Sequence, residues 1–90
     1  MLLVSYDISD DKIRARFSKY LTKFGHRIQY SVYEIDNSSL LIENILEDLD
    51  GKFKKLFSES DSVLIFNIKN DKNIVRYGFA KHEKESIIII

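Results

Sequence analysis

The sequence predicts an α+β domain in which two helices cover one face of an antiparallel sheet. Two segments repeat apolar residues at helical spacing, and they alternate with short segments rich in Val, Ile, Tyr and Phe. The resulting order is strand, helix, paired strands, helix, strand. The 90 residues, 44% apolar and 31% charged, suit a single domain, residues 1–90, with one modest core.

The first strand is predicted over residues 2–6, a short apolar run. Ser9 is the predicted N-cap of the first helix, and Asp10 and Asp11 lie in its first turn, where the helix dipole favours carboxylates. The apolar stripe of this helix is Ile13, Phe17, Tyr20, Leu21 and Phe24. Gly25 follows at the position where glycine commonly ends a helix.

The middle of the chain combines strand chemistry with a second helix. Residues 27–35 alternate in period two, and a ferredoxin-like βαββαβ arrangement requires two strands here, so we expect a break near Ser31. The second helix is predicted over residues 40–57, where Gly51 weakens it and favours a bend or an early end. Its apolar face comprises Leu41, Ile45, Leu49, Phe53 and Leu56, with Ile42 and Leu46 beside them.

The last third of the chain predicts further strands. Residues 61–69 form a continuous apolar run that is typical of a strand buried on both faces, and residues 74–79 are a further strand candidate. The sequence ends in "SIIII", which would be an aggregation hazard unless it pairs with another strand. The sheet edge of a second copy is the natural acceptor, so residues 74–90 are predicted to cross to the partner of a homodimer as an extra C-terminal strand region.

Composition narrows the classes of function. The chain has no cysteine, no apolar run of the roughly 20 residues that span a membrane, and no positively charged leader, so we expect a cytoplasmic protein without membrane contact. The net charge is zero, but residues 1–33 carry six Lys/Arg against three Asp. Such a local excess does not exclude a nucleic-acid-binding face, but from charge alone an ordinary solvated face is the simpler interpretation.

Asp7 stands at the end of the first predicted strand, where a carboxylate must be solvated, paired or bound to a metal. Taken alone, a helix cap or a pairing with arginine is the simpler interpretation. Magnesium usually takes one or two carboxylates together with water and phosphate oxygens. A two-fold dimer would bring two copies of Asp7 to one groove.

Two groups of residues suit nucleic-acid binding. One flank of the first helix carries the basic stripe Lys12, Arg16, Lys19 and Lys23, which can follow a phosphate backbone, and Arg14 lies on the other flank. The polar face of the second strand carries Arg27, Gln29, Ser31 and Tyr33. These side chains suit phosphate binding and base stacking, or simply the outer face of an edge strand. His26 and His82 lack neighbouring ligands, and neither is assigned a role.

The stretches "YDISDDKIRARFSKYL" and "RIQYSVYE", at their observed spacing, resemble the small CRISPR-associated adaptation proteins, the Cas-two family. The resemblance covers nearly the whole chain. It implies a ferredoxin-like homodimer with crossing C-terminal strands and a Mg²⁺-dependent endonuclease site at the dimer interface, centred on Asp7 of each chain. Members are described as cutting single-stranded RNA or double-stranded DNA, and as bridging two dimers of the CRISPR-associated integrase, Cas-one.

The family positions matched in this sequence are Tyr6, Asp7, Arg14, Arg27 and Tyr33. By resemblance, Asp7 holds the metal, the two arginines hold phosphate oxygens, and the two tyrosines position or stack the nucleotide. An alternative with the same fold is a toxin-type ribonuclease resembling virulence-associated protein D. The "RIQYSVYE" run favours the adaptation family.

Overall fold

The computed structural model describes residues 1–36 and 39–78. Its main elements are β1 (Leu2–Asp7), α1 (Asp11–Leu21), β2 (Gly25–Gln29), β3 (Val32–Ile35), α2 (Ser39–Asp48) and β4 (Ser62–Asn67). A π-helical turn at Leu49–Phe53 and a 3₁₀ turn at Lys54–Leu56 extend α2, and a second 3₁₀ turn covers Asp71–Asn73.

The four strands form one sheet in the order β2–β3–β1–β4, and every neighbouring pair is antiparallel. This order, with both helices packed on one face, is the ferredoxin-like arrangement that the sequence predicts. The central strand β1 pairs with β3 on one side and with β4 on the other, so its C-terminal end lies in the middle of the sheet.

The core lies between the helices and the sheet. Strand β1 alternates as a half-covered strand should, with Leu2, Val4 and Tyr6 buried beneath the helices. The ring of Phe17 in α1 packs edge-on against Tyr6 at 5.2 Å and against Phe53 at 5.1 Å, centroid to centroid. The aromatic side chains therefore join β1, α1 and the π-helical turn in one core.

The break predicted near Ser31 is confirmed. Tyr30 and Ser31 form the turn between β2 and β3, and the Tyr6 amide N–H donates to the Ser31 carbonyl at 3.1 Å. The β2–β3 register shifts between Arg27 and Gln29. This irregularity interrupts the simple alternation that the sequence predicts for residues 27–35.

The predicted limits of the first helix are wrong at both ends. The N-cap is Asp10, not Ser9, because the Asp10 carboxylate accepts from the backbone N–H of Lys12 at 2.9 Å and of Ile13 at 3.0 Å. Helix α1 ends at Leu21, and the predicted capping glycine, Gly25, instead opens β2.

The second helix ends early, as Gly51 suggests. Its α-helical part stops at Asp48, and Gly51 lies in the π-helical turn that follows. Ile45 and Phe53 of the predicted apolar face are buried. Leu46 is not, since half of its surface remains exposed.

The prediction of a strand buried on both faces fails for β4 within one chain. Val63 and Ile65 pack against the core, but Leu64 and Phe66 are exposed on the face away from the helices. Residues 74–78 do not form the expected strand, and the predicted crossing segment from residue 79 onward lies outside the described residues.

Candidate nucleic-acid and metal site

Asp7 is exposed at the end of β1, and its Cα is paired with that of Ser62 in β4. Successive side chains of a strand point to opposite faces, so Tyr6 lies under the helices while Asp7 lies on the open face. The side chains that the resemblance groups around one site are therefore divided between the two faces of the sheet.

The open face combines serines next to Asp7 with large apolar side chains further from it. Along the β1–β4 pairing, Ser5 lies opposite Leu64 and Leu3 lies opposite Phe66, so these side chains share the face of Asp7. Among the residues that the structure describes, no cluster of three or more His, Cys, Asp or Glu side chains suits a metal ion. One chain supplies the carboxylate of Asp7 at this position, and a two-fold dimer would supply a second one for a magnesium ion.

A largely buried charged cluster lies on the same face, where Glu34 of β3 is paired with Leu3 of β1. The Glu34 carboxylate accepts from Arg76 Nη2 at 3.1 Å, and His26 Nε2 lies 3.3 Å from the same oxygen. This cluster fastens the segment after β4 to β3. No pattern in the sequence predicts a role for His26 in this grouping, because Arg76 and Glu34 are 42 residues apart.

On the helix side, a cleft of about 540 Å³ lies between α1 and the β2–β3 hairpin. Its aromatic and cationic lining comprises Tyr6, Tyr30, Tyr33, Arg14, Lys19 and Arg27. Four of the five residues matched by resemblance therefore lie at this cleft, and Asp7 does not line it.

A hydrogen-bond network forms the floor of the cleft. Arg27 Nη2 donates to Ser18 Oγ at 2.7 Å, and Ser18 Oγ lies 2.6 Å from the Tyr33 hydroxyl oxygen. A hydrogen bond with Tyr33 raises the pKa of the Arg27 guanidinium, which therefore stays charged. Tyr33 is only 2% exposed, so its ring belongs to the core and presents no free face for stacking.

Arg14, which also lines the cleft, is held by two contacts. Its Nη1 donates to the Ile8 carbonyl at 2.9 Å, and its Nη2 pairs with the Asp11 carboxylate. The bond to Asp11 raises the pKa of Arg14. These contacts fix the guanidinium beside the loop that follows β1.

The predicted basic stripe is only partly helical. Lys12, Arg16 and Lys19 lie on α1 and are exposed, whereas Lys23 lies beyond the C-cap residue Thr22. Lys19 also lines the cleft. The basic side chains therefore extend along α1 from its outer surface, at Lys12 and Arg16, to the cleft, at Lys19.

The fold and these two regions define a small ferredoxin-like α+β protein, with an exposed carboxylate at the end of its central strand and a cationic, tyrosine-lined cleft. The chain belongs to the family of CRISPR associated protein Cas2, whose model matches residues 1–74. This finding confirms the resemblance seen in the sequence, and the comparisons give no support to the toxin-type alternative.

Two curated relatives illustrate the match. The chain is 32% identical over 77 residues to the CRISPR-associated endoribonuclease Cas2 of Mycobacterium tuberculosis, covering 86% of this chain and 65% of the relative. It is 40% identical over 63 residues to the Thermus thermophilus protein of the same name, covering 70% of this chain and 63% of the relative. The chain thus spans less than two thirds of the length of either relative.

Two solved structures share the fold. A hypothetical protein of Thermus thermophilus superimposes with a TM-score of 0.60 at 30% identity, covering 77% of this chain and 80% of that one. Streptococcus pyogenes Cas2 superimposes with a TM-score of 0.62 at 23% identity, covering 80% and 90%. In the part of the chain that the structure describes, no helix is long and apolar enough to cross a membrane.

Proposed function

We propose that this chain is a Mg²⁺-dependent nuclease of the CRISPR spacer-acquisition machinery, that it acts as a homodimer, and that the dimer also bridges the integrase to DNA. The observation that carries the proposal is the position of Asp7, exposed at the end of the central strand on the sheet face that also exposes Leu64 and Phe66. The names of the relatives, which call them endoribonucleases, support the same activity.

The open face supports the dimer. Leu64 and Phe66 are large side chains left uncovered beside β1, and such patches commonly mark interfaces. A two-fold axis brings the same surface of each copy together. Packing through this face, with the two-fold axis beside the end of β1, would bring the two Asp7 carboxylates to one groove.

The chemistry follows from that pairing. The two Asp7 carboxylates would hold the cation, since carboxylate oxygens are preferred ligands of magnesium. When bound, the ion lowers the pKa of a coordinated water and offsets the charge of the attacked phosphate. Lys12 and Arg16, exposed on α1, would contact the nucleic-acid backbone and make binding weaken as salt rises.

The test is a paired measurement on Asp7→Asn, which keeps the size of the side chain and removes one negative charge from each chain. We expect metal-dependent cleavage of RNA or DNA to fall to background, because an amide oxygen is a far weaker partner for a hard cation. The dimer and the integration of spacers with the integrase should persist. Glu59→Gln, at another exposed carboxylate, is the matched control and should cleave as the unmodified protein does.

Two outcomes contradict the proposal. Undiminished cleavage by Asp7→Asn would show that Asp7 is not the metal ligand. Loss of integration by a correctly folded Asp7→Asn dimer would show that the bridging role is not separate from the metal site.

A further inference from the structure

We propose that the cleft on the helix side binds one unpaired nucleotide, with its base against Tyr30 and its phosphate among Arg14, Lys19 and Arg27. This inference rests on the proposed nucleic-acid function, but it does not depend on the chemistry of Asp7. It assigns base recognition to Tyr30, a residue that the resemblance does not single out.

The exposure of the three tyrosines selects Tyr30. Tyr6 and Tyr33 are buried in the core, whereas Tyr30 is 72% exposed in the turn between β2 and β3. The Arg27 guanidinium carbon lies 6.0 Å from the centroid of the Tyr30 ring and 5.6 Å from that of Tyr33. This cation–π contact holds the exposed ring beside the cleft, where a base can stack on it.

The charges of the cleft suit a phosphate. Its lining includes three cations, Arg14, Lys19 and Arg27, against one carboxylate, Asp11. Asp11 is already paired with Arg14. A phosphodiester carries one negative charge, and a terminal phosphate carries about −1.5 to −2 at neutral pH, so the surplus of two positive charges favours either group.

The size and shape of the cleft select an unpaired nucleotide. Its volume of about 540 Å³ falls within the roughly 300–1,000 Å³ of small-molecule sites. The bases of a duplex are stacked on each other and offer no free face, so the occupant is a nucleotide of a single strand or of a frayed end.

The experiment is an NMR titration of the unmodified homodimer with three probes: adenosine monophosphate, adenosine and inorganic phosphate. We expect the monophosphate to bind more tightly than either of the other two, because base and phosphate are held together. Tyr30→Leu should weaken binding of the monophosphate about tenfold and leave that of inorganic phosphate unchanged. Tyr30→Phe, which keeps the ring, should bind the monophosphate as tightly as the unmodified protein does.

Two matched controls separate the cleft from the rest of the surface. Tyr77 is 71% exposed and does not line the cleft, so Tyr77→Leu should bind the monophosphate normally. Lys19→Gln should weaken both phosphate-bearing probes, whereas Lys55→Gln, at an exposed lysine of the 3₁₀ turn after α2 and outside the cleft, should weaken neither.

The inference is overturned if the monophosphate binds no more tightly than inorganic phosphate, or if Tyr30→Leu leaves its affinity unchanged. Its failure is distinguishable from failure of the nuclease proposal, because Asp7→Asn should bind the monophosphate as the unmodified protein does. Loss of cleft binding in that variant would contradict the separation of the two regions.

Discussion

Gly25 lies where the backbones of β2 and β3 approach too closely for a side chain. A Cβ built on Gly25 would lie 2.0 Å from the Glu34 carbonyl oxygen, in the paired strand β3. No side chain fits at that distance, and backbone atoms of a paired strand cannot move aside readily. The glycine is therefore required by the pairing of β2 with β3, and not by the end of the helix before it.

We expect Gly25→Ala to lower the free energy of unfolding by at least about 2 kcal/mol, because the added methyl group forces the two strands apart. Gly51→Ala is the matched control: its Cβ would meet no atom within 4 Å, and alanine favours helical backbone by roughly 0.5–1 kcal/mol. Urea unfolding of both variants measures the difference. Equal stabilities would show that the strands do not approach as closely as described.

At the scale of elements, one carboxylate ties the start of α1 to the start of β4. Asp61 Oδ1 accepts from the backbone N–H of Ser9 at 2.9 Å and from its hydroxyl at 3.0 Å, and Oδ2 accepts from the Ser58 N–H at 2.8 Å. These bonds, that from the Ser9 backbone first, lower the pKa of Asp61. They also leave Asp10, rather than Ser9, to cap the helix.

The hydrogen bonds of the Asp61 carboxylate predict that the free energy of unfolding depends on pH. Because folding lowers the pKa of Asp61, its contribution is complete above the ordinary aspartate pKa of about 3.9 and is lost as the pH falls through the lower value of the folded state. Asp61→Asn should therefore destabilise the protein at neutral pH, and the difference from the unmodified protein should shrink below about pH 4.

Urea unfolding between neutral pH and pH 3 measures this effect. Asp50→Asn is the control, because it removes only an exposed ion pair with Lys54 at 3.8 Å and should change the unfolding free energy little at any pH. The Asp61 hydrogen bonds would not stabilise the protein as described if the difference in unfolding free energy between Asp61→Asn and the unmodified protein stayed constant down to pH 3.

Across the molecule, the two faces of the sheet differ in how much of their apolar surface is covered within one chain. The helix face is closed by aromatic packing, whereas the other face leaves Leu64 and Phe66 uncovered beside the buried pair of Glu34 and Arg76. The proposed dimer would cover this apolar surface, and the contribution of burying a leucine is roughly 1.5–3 kcal/mol.

We expect Leu64→Lys to weaken the dimer at least about tenfold, since that burial is lost and a charge is introduced at the interface. Leu40→Lys is the matched control, because Leu40 is 67% exposed on α2 compared with 57% for Leu64, and it lies on the helix side. Sedimentation at graded concentrations measures both. If Leu64→Lys dimerises as tightly as Leu40→Lys, the dimer does not form through the open face.

Four features could be predicted from the sequence: the order of the elements, the break near Ser31, the early end of α2 and the position of Asp7 at the end of a strand. Each of these depends on local information: hydrophobic period, turn residues and the weakness of glycine in a helix. Arg14 and Arg27 could also be predicted as site residues, because they belong to short local patterns that resemble those of the Cas2 family.

Contacts between residues that are distant in the sequence depend on the tertiary structure and could not be predicted. Ser9 and Asp10 are both good capping residues, and the choice between them depends on Asp61, which arrives from 52 residues away. The cleft forms only where α1 meets the β2–β3 hairpin, and the exposure of Tyr30 depends on the geometry of the turn between those two strands. These features arise from strand register and loop closure, which couple distant residues and leave no local pattern in the sequence.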